Sequence, residues 1–249
     1  MIGNRLKRSR EALGLSLRDL EAAIHGQVSA QAIGKYERDE MMPSSTVRLA
    51  IAKALDVSPE YLLSEQEIEL VGVDFRKATH AGTREERAVE AVILDHVERY
   101  LELEELFPGA DAEWVAPAGP EFEIQCIEDA EEAAEALRKL WLLGMDPIPL
   151  MAELLEERGV KVIAQDLPVS VSGSKAFVRR NQGPDVPVIV VNEHHNGERQ
   201  RFTLAHELAH LVLRCGSLDE KEQEKAADRF AGAFLMAKEM MIRVLGQHR

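Results

Sequence analysis

Apolar residues in the first 63 positions recur every three or four residues, and residues that start or stop helices separate the runs. Gly14 and Gly26 are typical helix stops, whereas Ser16 and Ser29 are typical N-caps because each comes just before a helical run. The pattern predicts five short helices and no strand, at about residues 3–13, 17–24, 30–37, 43–55 and 58–63.

Beyond residue 143 the pattern changes from helices alone to short strands between helices. The segment VPVIVVN at residues 186–192 is rich in β-branched residues, which is typical of a strand. Strands are predicted at 160–165, 170–180 (bent at Gly173) and 186–192, and helices at 147–158, 198–213 and 218–245. The intervening residues 64–143 are interpreted as a helical linker with helices at 84–106 and 129–143. The predicted fold is a mainly α N-terminal bundle (1–63), this linker, and an α+β domain (144–249).

The charge of the chain is distributed unevenly between these segments. The net charge is −14, yet residues 1–63 are close to neutral and begin with a basic tip, so the acidic excess lies in the remainder. No apolar run is long enough to span a membrane, and no secretory signal follows the start. Two cysteines are too few for a disulfide framework. We therefore expect a cytoplasmic protein without membrane contact, whose domains have different partners.

Two predicted helices, joined at Gly26 and with Ser29 capping the second, form a helix-turn-helix arrangement. A helix of this size fits the DNA major groove, where Gln31 can hydrogen-bond an adenine edge and Lys35 can reach guanine or a phosphate. Four arginines are expected to neutralise phosphates: Arg5, Arg8, Arg10 and Arg38. The alternative is a small helical bundle that contacts proteins.

This region resembles the phage-repressor-like helix-turn-helix family often called XRE, over about residues 3–63. The matching positions are Ser29, Ile33, Tyr36-Glu37-Arg38, Pro43, Leu49, Ala52, Leu55 and Tyr61-Leu62. The resemblance implies sequence-specific binding of double-stranded operator DNA, usually as a homodimer. DNA contact is assigned to positions Gln27, Ser29, Gln31 and Lys35, together with Arg38, although such modules sometimes contact proteins instead.

The C-terminal part contains an H-E-x-x-H pattern, His206-Glu207-Leu208-Ala209-His210. Residues i and i+4 share one face of a helix, so both imidazoles can hold one metal ion, and neutral imidazole is a good zinc ligand. Glu207 follows the first ligand and is placed to take a proton from a zinc-bound water. The alternative is an amphipathic helix with incidental histidines.

A catalytic zinc needs a third protein ligand and an open position. The next predicted helix has a periodic apolar face, and Glu224 lies on or beside that face. We therefore favour Glu224 as the third ligand over Glu220 and Glu222, which are expected to face solvent. Asp228, one turn later, can accept a hydrogen bond from the free nitrogen of a liganding histidine.

The span from about Trp141 to Met236 resembles the ImmA/IrrE family of zinc metallopeptidases. The matching strings are LLEERGVKVI, PVIVVN, ERQRFTLAHELAHLVL and EKAADRFAGAFLMA. The resemblance implies a zincin-like α+β fold with a small sheet beside the H-E-x-x-H helix, and bound Zn²⁺. It implies the following roles: ligands His206, His210 and Glu224, base Glu207, and Asp228 supporting a ligand.

The sequence departs from that family in its catalytic region. Tyrosine occurs only at positions 36, 61 and 100, so no tyrosine is available there to stabilise an oxyanion. His194, His195 and Arg201 are the candidates for that role. Relatives that join these two modules often continue past this point, so the natural chain is expected to extend beyond Arg249.

Two functions agree with these features. The first is a DNA-binding transcriptional regulator with a zinc-dependent endopeptidase domain that cleaves a repressor or another partner protein. The second is a non-catalytic antitoxin and autorepressor, which binds operator DNA and neutralises a cognate toxin. A Glu207→Gln substitution separates them, because it removes catalysis and leaves partner binding and repression intact.

Overall fold

The computed structural model describes residues 2–63, 68–72, 83–107, 112–167, 171–180 and 183–246. Two compact units make up the chain. The first comprises Met1–Val71, Phe75–Pro108 and Val178–Asp185, and the second Gly72–Asp74, Gly109–Phe177 and Val186–Arg249. These units differ from the three segments expected from the sequence, because residues assigned to a helical linker are divided between them.

Four short helices open the first unit: α1 (Ile2–Ala12), α2 (Leu17–Ala23), α3 (Ala30–Glu37) and α4 (Ser45–Ala54). Ser16 caps α2 in a reciprocal capping box with Asp19, and Ser29 caps α3, which confirms both predicted N-caps. Gly26, with a φ of 68°, takes the left-handed conformation needed in the turn between α2 and α3. The predicted fifth helix is a single 3₁₀ turn at Tyr61–Leu63.

A long helix, α5 (Thr83–Leu106), completes the first unit by packing against α1. Glu98 of α5 is fully buried and forms ion pairs with Arg5 and Arg8 of α1. Arg5 also donates to the main-chain oxygen of Tyr61 at 2.8 Å, and Arg8 donates to the Tyr61 hydroxyl at 3.0 Å. Helix α5 therefore packs within the first compact unit, while the division of the chain into three segments stays a prediction.

The strands are β1 (Ile68–Val71), β2 (Lys161–Gln165), β3 (Gly173–Arg180) and β4 (Val186–Asn192), which form one sheet in the order β1-β3-β4-β2. Strands β2 and β4 pair in parallel, with Lys161 opposite Val188 and Gln165 opposite Asn192. Strand β4 occupies the predicted residues, and every one of them is buried. No pattern of residues indicated β1, which lies in the segment expected to be a helical linker.

The remaining helices are α6 (Asp129–Leu140), α7 (Met151–Glu156), α8 (Gly197–Val212), α9 (Glu220–Leu235) and α10 (Lys238–Leu245). Helices α8 and α9 pack against each other, and α6 packs against α9. Their shared core includes Trp141, Leu208, Phe230 and Phe234. Trp141 meets Phe234 edge to face, with ring centroids 5.9 Å apart.

The prediction of one continuous helix at residues 218–245 is wrong. Residues 218–245 form two helices, because Met236 (φ −126°, ψ 87°) and Ala237 (ψ 127°) leave the helical conformation. The apolar pattern continues across this break, so periodicity did not reveal it. The predicted strand start at Ser170 lies outside the described residues, as does the end of the chain at Arg249. Within the described part of the chain, no helix is long and apolar enough to cross a membrane.

Candidate metal centre and DNA-reading helix

Helix α8 carries both histidines of the H-E-x-x-H pattern on one partly open face. Leu204, Ala205, Leu208 and Ala209 are buried in the core, and this fixes the rotation of the helix. His206 and His210 therefore lie together beside α9, with side chains 17% and 19% exposed. Their rings are in contact, with centroids 4.9 Å apart.

Glu224 of α9 meets both histidines. Its carboxylate oxygens lie 3.2 Å from Nε2 of His206 and 3.5 Å from Nε2 of His210, and the two Nε2 atoms are 3.1 Å apart. One ligand-capable atom from each of the three residues lies within 4.8 Å of the others. Among the described residues, this is the one group of histidine, cysteine and acidic side chains with such spacing.

The spacing of these donor atoms fits a tetrahedral zinc ion. Bonds of about 2.0–2.1 Å at tetrahedral angles place neighbouring ligand atoms about 3.3 Å apart. The observed separations of 3.1, 3.2 and 3.5 Å lie around that value. Two imidazoles and one carboxylate also match the donor set of catalytic zinc sites, which leave one position open.

Asp228, one turn beyond Glu224, meets the other nitrogen of His206. Its Oδ1 lies 2.9 Å from His206 Nδ1. A carboxylate at this distance favours the tautomer with hydrogen on Nδ1, so the lone pair of Nε2 faces Glu224 and His210. The relationship expected from the spacing of α9 is therefore present in the structure.

Glu207 follows His206 on α8 and is partly buried next to the histidine cluster. Burial raises the pKa of its carboxyl group to about 6, although the neighbouring charges of His206 and Lys175 lower it. The main-chain N–H of Lys175 also lowers this pKa by donating a hydrogen bond to the carboxylate. A carboxyl group with a pKa near neutrality is suited to accept and release a proton.

Lys175 of β3 is a residue of this site that the sequence did not reveal. Its Nζ donates to the main-chain oxygen of His210 at 2.8 Å. Burial lowers the pKa of its ammonium group, and the charge of Glu207 opposes that shift. Strand β3 can approach α8 closely because Gly173 has no side chain. A Cβ at this position would lie only 2.5 Å from the Thr203 side chain and 2.5 Å from the main-chain oxygen of Val190. A lysine in a predicted strand carries no periodic signal, so only the fold identifies it.

The other residues considered for this site have different partners. Glu222 belongs to a capping box with Asp219 at the start of α9, and Glu220 is exposed in the first turn. His194 lies 2.9 Å from Asp166, and Arg201 donates to the main-chain oxygen of Ile148 at 2.7 Å. None of these contacts joins the cluster of His206, His210 and Glu224.

In the first unit, α3 and the turn before it present the residues expected to contact DNA. Gln27, Ser29, Gln31 and Lys35 are exposed, while Ile33 and Tyr36 anchor the helix in the core. The Ser29 hydroxyl accepts a hydrogen bond from Ala32 N–H at 3.3 Å, so this side chain acts in helix capping. The side chains of Gln31 and Lys35 lie one turn apart, as readout along a groove requires.

The prediction that four arginines contact phosphates is corrected at three of them. Arg5 and Arg8 are paired with the buried Glu98 of α5, as described above. Arg10 is buried and forms a bidentate pair with Glu37, at 2.6 and 2.9 Å. Their positive charges are neutralised inside the unit because acidic side chains lie on the facing helices.

Arg38 is the exposed member of the four, and it also has an acidic partner. It forms a bidentate pair with Glu40, with distances of 2.6 and 3.1 Å. Both side chains are about half exposed, so water competes with this pair. A phosphate contact by Arg38 therefore requires exchange of the Glu40 carboxylate for a phosphate.

The fold combines a helix-turn-helix unit with a second unit that carries a candidate zinc site. Comparison with known families agrees: residues 6–62 match the helix-turn-helix family, and residues 155–249 match the peptidase M78 family, described as the IrrE N-terminal-like domain. The chain thus joins an XRE-type helix-turn-helix domain to an IrrE-like domain, as the sequence predicted. Searches of curated proteins and of solved structures found no match.

Proposed function

We propose that this protein is a DNA-binding transcriptional regulator whose second unit is a zinc-dependent endopeptidase. The observation that carries the proposal is that ligand atoms of His206, His210 and Glu224 lie within 4.8 Å of one another, next to the partly buried Glu207. The substrate class is a protein, either a transcriptional repressor or another partner of the same regulatory system. The site of action is the cytoplasm, where both DNA and such partners are found.

His206, His210 and Glu224 would hold the zinc ion, and Asp228 would fix the orientation of the His206 ring. When bound, zinc supplies a Lewis acid that polarises a peptide carbonyl and lowers the pKa of water toward neutrality. Glu207 accepts a proton from the attacking water and returns it to the leaving amine, for which a pKa near 6 is well suited. Lys175 keeps Glu207 in place through its main-chain N–H.

The helix-turn-helix unit would bring the peptidase to its substrate. A repressor bound at an operator lies on the same DNA that α3 is proposed to read through Gln31 and Lys35, together with Gln27 of the preceding turn. Helix-turn-helix proteins commonly bind two half-sites one helical turn apart as dimers, and we propose a homodimer here for the same reason. Cleavage of a neighbouring repressor would then release the genes that it silences.

The zinc content of the purified full-length chain tests this proposal. We expect about one zinc per chain in the wild type, loss of zinc in His206→Ala and Glu224→Ala, and retention in the control Glu220→Ala. Folded protein that remains metal-free after zinc is supplied would overturn the peptidase proposal.

A second comparison separates the enzyme from the antitoxin alternative. Glu207→Gln should retain zinc and DNA binding but lose hydrolysis of the partner protein. One outcome would favour the antitoxin: the wild type represses its own promoter and neutralises a toxin, and Glu207→Gln does both equally well. In that case the endopeptidase activity is not the biological function, and the antitoxin account replaces it.

A further inference from the structure

The two helices that carry the candidate metal centre continue together beyond it. On α8, positions 198, 202, 206 and 210 follow one another at intervals of four residues and so share one face. On α9 and the residue after it, positions 224, 228, 232 and 236 do the same. The contacts of His210 with Glu224 and of His206 with Asp228 show that these faces run antiparallel.

The other half of these two faces is mainly apolar: Phe202, Gly232 and Met236 have no polar side-chain group, and Glu198 is the charged residue among the four. Continuing the same order pairs Phe202 with Gly232 and Glu198 with Met236. All four residues line a groove of about 380 Å³. This volume lies within the range of about 300–1,000 Å³ that is typical of ligand sites. We name it the methionine groove; its principal lining residues are Met145, Phe202, Gly232, Met236, Met240 and Met241.

Phe202 joins the groove to the metal centre. It lies one turn before His206, and the centroids of the two rings are 6.5 Å apart. One helical turn is about 5.4 Å and a residue of extended chain about 3.3 Å, so a side chain one or two residues from a bond at the metal centre reaches the groove. The break at Met236 and Ala237 turns α10 so that Met240 and Met241 form another wall.

We propose that the methionine groove binds a large apolar side chain of the polypeptide substrate, of the leucine, methionine or phenylalanine class, next to the bond that is cut. This inference rests on the proposed peptidase function for the identity of its occupant. The lining favours an apolar occupant because nine of its eleven residues are apolar, four of them methionines, while Glu198 and Arg201 are its two charged members. Methionine side chains adapt their shape, so the groove accepts several apolar residues rather than one.

Gly232 offers a way to close the groove without disturbing the core. A Cβ at this position would have no heavy atom within 4 Å, so an added side chain extends into the open groove. Gly232→Trp should therefore fill the groove, whereas Gly232→Ala leaves it open and serves as the matched control. Both substitutions replace a glycine inside a helix, so both have the same effect on backbone freedom.

The first test measures binding and does not require catalysis. The full-length chain, labelled with ¹³C at the methionine methyl groups, is titrated with N-acetyl-leucinamide, N-acetyl-phenylalaninamide and N-acetyl-serinamide. We expect saturable changes in the methyl chemical shifts of Met236, Met240 and Met241 with the two apolar amides. The methyl signals of the exposed Met41 and Met42 should not change. The response should be lost in Gly232→Trp and kept in Gly232→Ala. Equal responses to the serine amide, or an unchanged response in Gly232→Trp, would overturn the proposal.

The second test measures cleavage by the zinc-loaded chain on a mixture of randomised dodecapeptides. We expect apolar residues to be enriched at least fivefold at one position beside the cut, and Gly232→Trp to lose this enrichment while Gly232→Ala keeps it. Cleavage without any apolar preference overturns the groove proposal alone. Selective amide binding with no cleavage of any peptide overturns the proposed peptidase and leaves the groove as an apolar binding site. Shifts of the groove methionines with protein concentration alone would assign the groove to a second copy of the chain and contradict the proposal.

Discussion

The ammonium group of Lys175 lies 2.8 Å from the main-chain oxygen of His210, at the C-terminal end of the helix that carries the candidate metal ligands. Arg214 N–H, which would continue the helical pattern to this oxygen, instead donates to Phe122 O at 2.8 Å. A cation at the C-terminal end of a helix is also favoured by the helix dipole. Lys175 therefore fixes the last turn of α8 and, through its main-chain N–H, the carboxylate of Glu207.

Lys175→Met should lower the free energy of unfolding of the second unit by about 1–3 kcal/mol, because it leaves polar groups of α8 without this donor. The measurement is urea unfolding followed by tryptophan fluorescence, since both tryptophans, Trp114 and Trp141, belong to that unit. Lys221→Met, which replaces an exposed lysine at the start of α9 in the same unit, is the control and should change stability by less than about 0.5 kcal/mol. An equal effect of both substitutions would contradict the assigned contact.

The charge of Glu207 should destabilise the metal-free protein at neutral pH. Its pKa rises from 4.5 to about 6 on folding, so the folded state binds the proton more tightly than the unfolded state. The resulting stabilisation is complete below about pH 4.5 and is lost as pH rises through 6. Glu207→Gln should therefore be more stable than the wild type by up to about 2 kcal/mol at pH 8, and the difference should shrink toward pH 5.

This comparison uses protein freed of metal by a chelator, with the same tryptophan signal at both pH values. Glu132→Gln is the control, because it removes one exposed carboxyl group from α6 of the same unit and so gives the baseline for the loss of one negative charge. A stability difference between Glu207→Gln and wild type that stays constant from pH 5 to pH 8 would show that the Glu207 pKa is not raised.

Asp228→Ala should weaken zinc binding without abolishing it. The carboxylate orients the His206 ring through Nδ1, and loss of such a partner typically costs 10–100-fold in metal affinity. Competition titration against a chelating dye measures the affinity, with Glu220→Ala as the control on the same helix. Affinity equal to that of the wild type would show that Asp228 does not support the site.

The sequence predicted the parts of this site whose residues lie close together along the chain, and missed those that the fold brings together. His206, Glu207 and His210 lie within one helix, and Glu224 and Asp228 within the next, so helical spacing alone identified them. Lys175 reaches the site only because the sheet brings β3 beside α8, and no local pattern encodes that approach. The methionine groove likewise depends on the break after α9, which the continuous apolar periodicity concealed.

The first unit shows the same limit for charged residues. Composition suggested that the basic tip of α1 faces phosphates, but the decisive partner, Glu98, lies about ninety residues later in the chain. Local capping signals at Ser16 and Ser29 were sufficient to predict α2 and α3 because caps act over three residues. Whether an arginine is exposed or buried in an ion pair depends on tertiary packing, which spacing does not report.

Glu98→Ala should destabilise the first unit by about 3–5 kcal/mol, because it leaves the guanidinium groups of Arg5 and Arg8 buried without their acid. The three tyrosines of the chain all belong to this unit, so near-ultraviolet circular dichroism of tyrosine follows its unfolding. Arg99→Ala breaks an exposed i,i+4 pair with Asp95 on the same helix and should cost no more than about 0.5 kcal/mol. Similar losses in both variants would contradict the burial of the Glu98 ion pairs.

Substitutions on α3 should separate base reading from phosphate contact once selection from random DNA has provided an operator. Gln31→Ala should lower affinity for the selected sequence by about 1–3 kcal/mol and relax preference at one base pair, because a bidentate contact to adenine is lost. Lys35→Ala should weaken binding to all sequences if Lys35 contacts a phosphate. If Lys35 reads a base instead, the substitution should relax the preference for guanine at one position. Glu40→Gln should strengthen non-specific binding, because it releases Arg38 from its bidentate pair.

Fluorescence anisotropy at several salt concentrations measures these effects, and removal of a phosphate contact should reduce the salt slope by about one unit. Lys53→Ala, a change of the same size and charge in the last turn of α4, is the control for general charge loss. If Gln31→Ala and Lys35→Ala bind the selected DNA as tightly as the wild type does, α3 is not the reading helix, and the first unit acts through protein contacts instead.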